Sequence, residues 1–289
     1  MPRILLTPLL FLLLWSTASA QITRSKTIDG GGTGPYAAVA VSEETLPDFT
    51  VYRPEDLRGA ASADGKLPLV IWANGGCSTT SLFHERMLSE VASHGYVVVA
   101  IGALQMAEGE RETTQSPEDE LLRGLDWITA RAAAEGSDYF GTVDLDKVAL
   151  AGQSCGGAQV MRVASDPRAN TYLMINSGMG DMTMAGASTA SLAEVHGPVL
   201  YIEGGESDVA YRNGLTDYDR IDHVPVAFAN HETAGHGGTF AEANGGSFAR
   251  MTLAWLDWQL KDGDATAVFL DGDLSEFPGW TMKAKHFNK

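Results

Sequence analysis

The chain has 289 residues and a formal net charge of −17, with 20 Lys and Arg set against 37 Asp and Glu. Such an acidic excess repels phosphate backbones and anionic lipid surfaces, so nucleic acid is excluded as a partner. With 44% hydrophobic and 20% charged residues, the composition suits one domain of ordinary size with a well-filled core.

Taken in order, Met1-Pro2-Arg3 precedes a mostly apolar run from Ile4 to Trp15 and then Thr17-Ala18-Ser19-Ala20. This pattern predicts a secretory signal peptide over 1–20 and a mature domain over 21–289. The run is too short for a membrane span, and no lipidation motif is present, so no stable membrane anchor is expected. The expected location is outside the cytoplasm, extracellular or periplasmic. Residues 21–45 are Gly-rich and weakly patterned and receive no assignment.

Phe49 to Pro54 alternates like a strand. Leu67 to Ala73 is a continuous apolar run, as expected of a strand covered on both faces, and Asn74-Gly75-Gly76-Cys77 follows it. A helix is predicted from about Ser81 to Ser93, stopping at His94-Gly95, and Tyr96 to Gly102 reads as a second buried strand. Ser116-Pro117-Glu118-Asp119 has the form of a helix start, with Leu121, Leu122, Leu125, Ile128 and Ala132 on one face. Buried strands are predicted before Gly152, over Thr171 to Asn176, over Pro198 to Glu203 and over Val224 to Ala229. A last long helix spans about Ser247 to Leu260. Strands alternating with helices predict an α/β fold, a mostly parallel, doubly wound sheet with helices on both faces. The segment from Ser177 to Gly197 is short, which leaves little or no lid.

The apolar run Lys147 to Ala151 stops at Gly152-Gln153-Ser154-Cys155-Gly156. In a chain with 32 Gly, G-x-S-x-G alone carries little weight. A buried strand before it and a small-residue helix after it mark a nucleophile elbow, whose glycines stand where any Cβ would clash. Ser154 is the candidate nucleophile.

Acyl transfer by serine also needs a base, a carboxylate to orient the base, and N–H donors for the oxyanion. In this arrangement acid and base follow the nucleophile in the chain. Glu203-Gly204-Gly205-Glu206-Ser207-Asp208 leaves a buried strand through a Gly turn; Asp208 is favoured as the acid, with Glu206 and then Glu203 as alternatives. Of seven histidines, His231 and His236 lie between the last strand and the last helix, and His236, flanked by glycines, is favoured as the base. His84 and His94 precede the elbow and His286 follows the last helix. His231-Glu232 begins like the zinc motif H-E-x-x-H, but His236 stands at i+5 among helix-breaking glycines, so no metal is expected. The oxyanion donors are expected from the N–H of Cys155 and of Gly76, with Cys77 as second choice for the latter. Two segments aiming donors at one oxygen lie within disulfide range, so Cys77 and Cys155 are either bonded across the oxyanion hole or two buried free thiols.

Together these residues resemble the α/β-hydrolase superfamily over nearly all of the mature chain. The Asn-Gly-Gly turn after Leu67 to Ala73, Ala92-Ser93-His94-Gly95-Tyr96, Gly152-Gln153-Ser154-Cys155-Gly156-Gly157 and Gly204-Gly205-Glu206-Ser207-Asp208 resemble the dienelactone-hydrolase, chlorophyllase-like and bacterial polyester-hydrolase branch. The resemblance implies cofactor-free hydrolysis of a small or polymeric carboxylic ester through a Ser154–His236–Asp208 triad and an acyl-enzyme. Polyester hydrolases usually have methionine after the nucleophile and an aromatic clamp after the next strand, where this chain has Cys155 and Met174-Ile175-Asn176-Ser177-Gly178. The resemblance is therefore carried to fold and triad, not to a polyester substrate. A monomer is expected. The alternatives are a catalytically silent hydrolase-like binding domain and a serine peptidase or amidase on the same fold.

Overall fold

The computed structural model describes residues 21–287; the leader expected over 1–20 lies outside the described residues. The strands are β1 Ile22–Lys26, β2 Ala38–Glu43, β3 Leu46–Pro54, β4 Leu67–Ala73, β5 Val97–Ile101, β6 Val143–Gln153, β7 Thr171–Ile175, β8 Val199–Glu203, β9 Val226–His231 and β10 Trp280–Lys285. They form a ten-stranded sheet in the order β1-β2-β3-β5-β4-β6-β7-β8-β9-β10. From β5 to β9 neighbouring strands run parallel, while β1, β2 and β3 pair antiparallel at one edge and β10 at the other.

Among the described residues the α-helices are α1 Leu57–Asp64, α2 Glu85–Ser93, α3 Glu120–Ala133, α4 Cys155–Arg162, α5 Tyr211–Arg220, α6 Gly246–Leu260 and α7 Thr266–Phe269. Because successive strand residues point to opposite faces, the unbroken apolar runs feed two cores at once. Leu69, Ile71 and Ala73 of β4 join Leu121 and Leu125 of α3 and Val160 of α4. Val70 and Trp72 join Met87 of α2 and Phe248 and Trp255 of α6 on the other face. Each fully buried large side chain contributes about 1.5–3 kcal/mol.

Three local expectations change. Residues 21–45, unassigned from sequence, supply the edge strands β1 and β2; β1 is largely exposed and so lacks a buried apolar run. Helix α3 starts at Glu120, four residues after Ser116. Ser116 Oγ instead donates to the Cys77 carbonyl at 3.0 Å and accepts from Gln159 Nε2 at 2.9 Å, pinning the turn after β4. The segment before α2 winds as a short 3-10 turn over Leu82–His84 before the α-helix begins at Glu85. Between β7 and β8 a 3-10 stretch, Thr189–Glu194, capped by Ser188, provides the helical structure. Among the described residues no helix is long and apolar enough to cross a membrane.

Candidate active site

β6 ends at Gln153 and α4 begins at Cys155, which leaves Ser154 between them at φ 54° and ψ −119°. A non-glycine residue held there stores about 1–3 kcal/mol of strain, sustained by packing around it. A Cβ on Gly152 would fall 2.4 Å from the Gly156 carbonyl, and one on Gly156 would fall 2.3 Å from the Ala73 carbonyl oxygen. Both motif glycines are thus required by backbone approach. Ser177 Oγ donates to the Ser154 carbonyl at 2.8 Å and steadies the turn from β7.

The structure brings the three distant residues together. His236 Nε2 lies 3.0 Å from Ser154 Oγ, and His236 Nδ1 lies 2.6 Å from Asp208 Oδ1. The loops that carry them meet backbone to backbone: Gly235 N–H donates to the Gly204 carbonyl at 2.7 Å, and a Cβ on Gly204 would fall 1.9 Å from the Gly235 carbonyl oxygen. The Gly204-Gly205 pair is what lets the histidine loop close on the acid loop.

Asp208 is 3% exposed. Burial opposes its charge, but hydrogen bonds from His236, Asn176 Nδ2 at 2.5 Å, Ala210 N–H at 2.9 Å and Gly204 N–H at 3.1 Å outweigh burial and bring its pKa down to about 2. The alternatives lie elsewhere. Glu206 is exposed. Glu203, at the end of β8, is fully buried, and burial together with the Asp208 charge pushes its carboxyl well above the usual range. His231 packs its ring 5.2 Å from Trp280, away from Ser154.

On the other side of Ser154 the turn after β4 takes positive φ at Gly76 (63°) and Cys77 (50°). Cys77 and Cys155 form a disulfide with their Cα atoms 5.1 Å apart. Gly76 lines the cleft over Ser154, whereas Cys77 is buried beneath it. The Cys155 N–H, at the first position of α4, has no intrahelical acceptor and is free to face a ligand.

The cleft has two unlike arms. One, about 240 Å³, is lined by Ala158, Met182, Met184 and Val209. The other, about 350 Å³, passes Gly75, Gly76, Ser78, Thr80, Phe83 and Gln153. Asp217, buried on α5, accepts from the N–H groups of Met179 at 2.5 Å and Gly180 at 2.9 Å; burial still drives its pKa up to about 6.

Sequence reasoning missed Asn176 as a partner of Asp208. Its signal is an amide side chain at the carboxyl end of a buried strand, in the positive-φ region (44°) that Asn tolerates. It also passed over His84, set aside by chain order, although its ring belongs to the cleft wall.

A mostly parallel mixed sheet with helices on both faces and a strand-turn-helix serine at its carboxyl edge defines an α/β-hydrolase. The model of the PET hydrolase-like family matches residues 33–276, and the chain belongs to that family. A curated relative, hydrolase ffsE of Aspergillus flavipes, is 31% identical over 147 residues, 49% of this chain and 32% of the relative. The chain thus spans about a third of that relative's length.

Proposed function

We propose that the protein is a secreted serine esterase that cleaves carboxylic esters through Ser154, His236 and Asp208. The observation that carries this reading is the unbroken line from Asp208 Oδ1 through both ring nitrogens of His236 to Ser154 Oγ, at 2.6 and 3.0 Å. Family membership supports ester hydrolysis, and the disulfide fits an oxidising compartment.

In the first half-reaction Ser154 Oγ attacks the ester carbonyl carbon while its proton passes to His236 Nε2. Asp208 holds the Nδ1–H and stabilises the imidazolium that forms. The carbonyl oxygen becomes an oxyanion facing the N–H groups of Gly76 and Cys155. Collapse breaks the bond to the alcohol oxygen, which takes the proton from His236, and the acyl group stays on Ser154. Water then repeats the sequence, releasing the acid and restoring the serine. The Met182 and Met184 arm accommodates a short apolar portion of the ester, and the wider arm along Gly75, Thr80 and Phe83 takes the remainder.

The test is hydrolysis of p-nitrophenyl butyrate by the wild type and Ser154→Ala. The expected result is a fall in kcat of about 10⁶-fold in a variant that still folds. Equal rates in the two proteins would overturn the reading.

A further inference from the structure

We propose that Gln153, the residue before the nucleophile, is a positioning residue that clasps the oxyanion turn to the histidine loop. The inference rests on the serine-esterase reading. The oxyanion turn follows β4 and the histidine loop follows β9, and β6, β7 and β8 lie between those strands. At about 4.8 Å per strand, β4 and β9 stand about 19 Å apart, so the ladder of the sheet does not fix how far their loops lean toward each other. Gln153 rises from β6, between them.

Gln153 is 4% exposed, and its amide touches both partners. Nε2 donates at 3.2 Å to the backbone carbonyl of His236, the residue whose imidazole faces Ser154. Oε1 lies against Gly75, where a Cβ would fall 2.0 Å from it. Gly75 is not among the residues with positive φ, so its backbone conformation does not require glycine. The missing side chain at 75 makes room for the Gln153 amide.

His84 backs this amide. It is 2% exposed and set among Trp72, Phe83 and Phe240, with ring centroids 4.9–5.1 Å away. Neither of its ring nitrogens has a hydrogen-bond partner among the described residues. Burial holds its imidazole down to about 3, with Gln153 beside it offsetting part of that shift. A neutral, boxed-in ring is a firm wall, and it keeps the Gln153 side chain from swinging away from Gly75 and His236.

Two variants disturb the clasp by different routes. Gln153→Leu keeps the bulk but removes the hydrogen bond to His236 and the amide oxygen packed against Gly75. Gly75→Ala pushes the end of the Gln153 side chain aside without straining the backbone, and it keeps the test alive should Gln153→Leu fail to fold. Each is expected to lower kcat for p-nitrophenyl butyrate about 10- to 100-fold, with KM changing less than about threefold. The double variant is expected to be no slower than the slower single one, because both act on one contact. A kcat within twofold of wild type in either folded single variant, or losses that multiply in the double, would overturn the clasp. Ser154→Ala, assayed alongside, separates the two ideas. If it is inactive while Gln153→Leu keeps its kcat, the clasp alone fails; if it is as active as wild type, the esterase reading fails and takes the clasp with it.

Discussion

On the two sides of Ser154 the same fold holds its parts by different means. Toward β7, β8 and β9, Asp208 receives hydrogen bonds from His236, Asn176, Gly204 and Ala210. Toward β4, the Gly75 to Cys77 turn is tied to α4 by the Cys77–Cys155 bond. The difference follows from what each side supplies. The charge of a carboxylate depends on its surroundings, so each lone pair has to be specified. The proposed oxyanion donors are backbone N–H groups of fixed chemistry, so only their place has to be set, and the Cys77–Cys155 bond ties the two segments that carry them.

Breaking the acid side has the larger effect. Asp208→Asn keeps the shape but removes the charge and disfavours the tautomer that donates from Nδ1; kcat is expected to fall about 10⁴-fold with the protein folded. Steady-state kinetics on p-nitrophenyl butyrate check this, and a fall below tenfold would show that Asp208 does not orient the base. Breaking the oxyanion side is expected to act on stability first. Cys77→Ala with Cys155→Ala opens a span of 78 residues and removes about 4 kcal/mol, a fall in Tm of roughly 10 °C. Calorimetry tests it, and an unchanged Tm would mean that the tether is not what fixes the turn.

The smallest effect sharpens the contrast within the acid side itself. Glu203 and Asp208 stand five residues apart, and burial and donors drive them in opposite directions. Asp208 has a depressed folded pKa, so the stability it contributes is present above about pH 4 and is lost as pH falls toward 2. Glu203 has a raised one, so folding is least penalised below about pH 4.5, and the penalty grows as pH rises past that value. Glu203→Gln imitates the protonated acid. Its Tm relative to wild type is therefore expected to climb between pH 4.5 and pH 8, with kcat changed less than about threefold. A constant difference in Tm across that range would show that Glu203 is ionised in the folded protein.

What the sequence makes legible divides along the same line. Gly152, Ser154 and Gly156 are readable because their reason is local, a turn too tight for a Cβ. The central strands are readable because burial on both faces leaves unbroken apolar runs. Asp208 is reached through chain order, since Glu203 and Glu206 stand in the same short loop and their surroundings leave no trace in composition. Asn176 and Gln153 find their partners 32 and 83 residues away, so nothing in the neighbouring sequence announces them. The edge strands β1 and β10 are mostly exposed or half-buried and lack the unbroken apolar runs of the central strands, and so resemble loops.

The central claim is that Ser154 becomes covalently acylated with His236 as its base. Mass spectrometry of the intact protein after a fluorophosphonate, followed by peptide mapping, tests it most directly. The account predicts one adduct per chain, on the peptide containing Ser154, with labelling slowed by orders of magnitude in His236→Ala. An adduct on another residue, or labelling of Ser154 at the same rate without the imidazole, would contradict it.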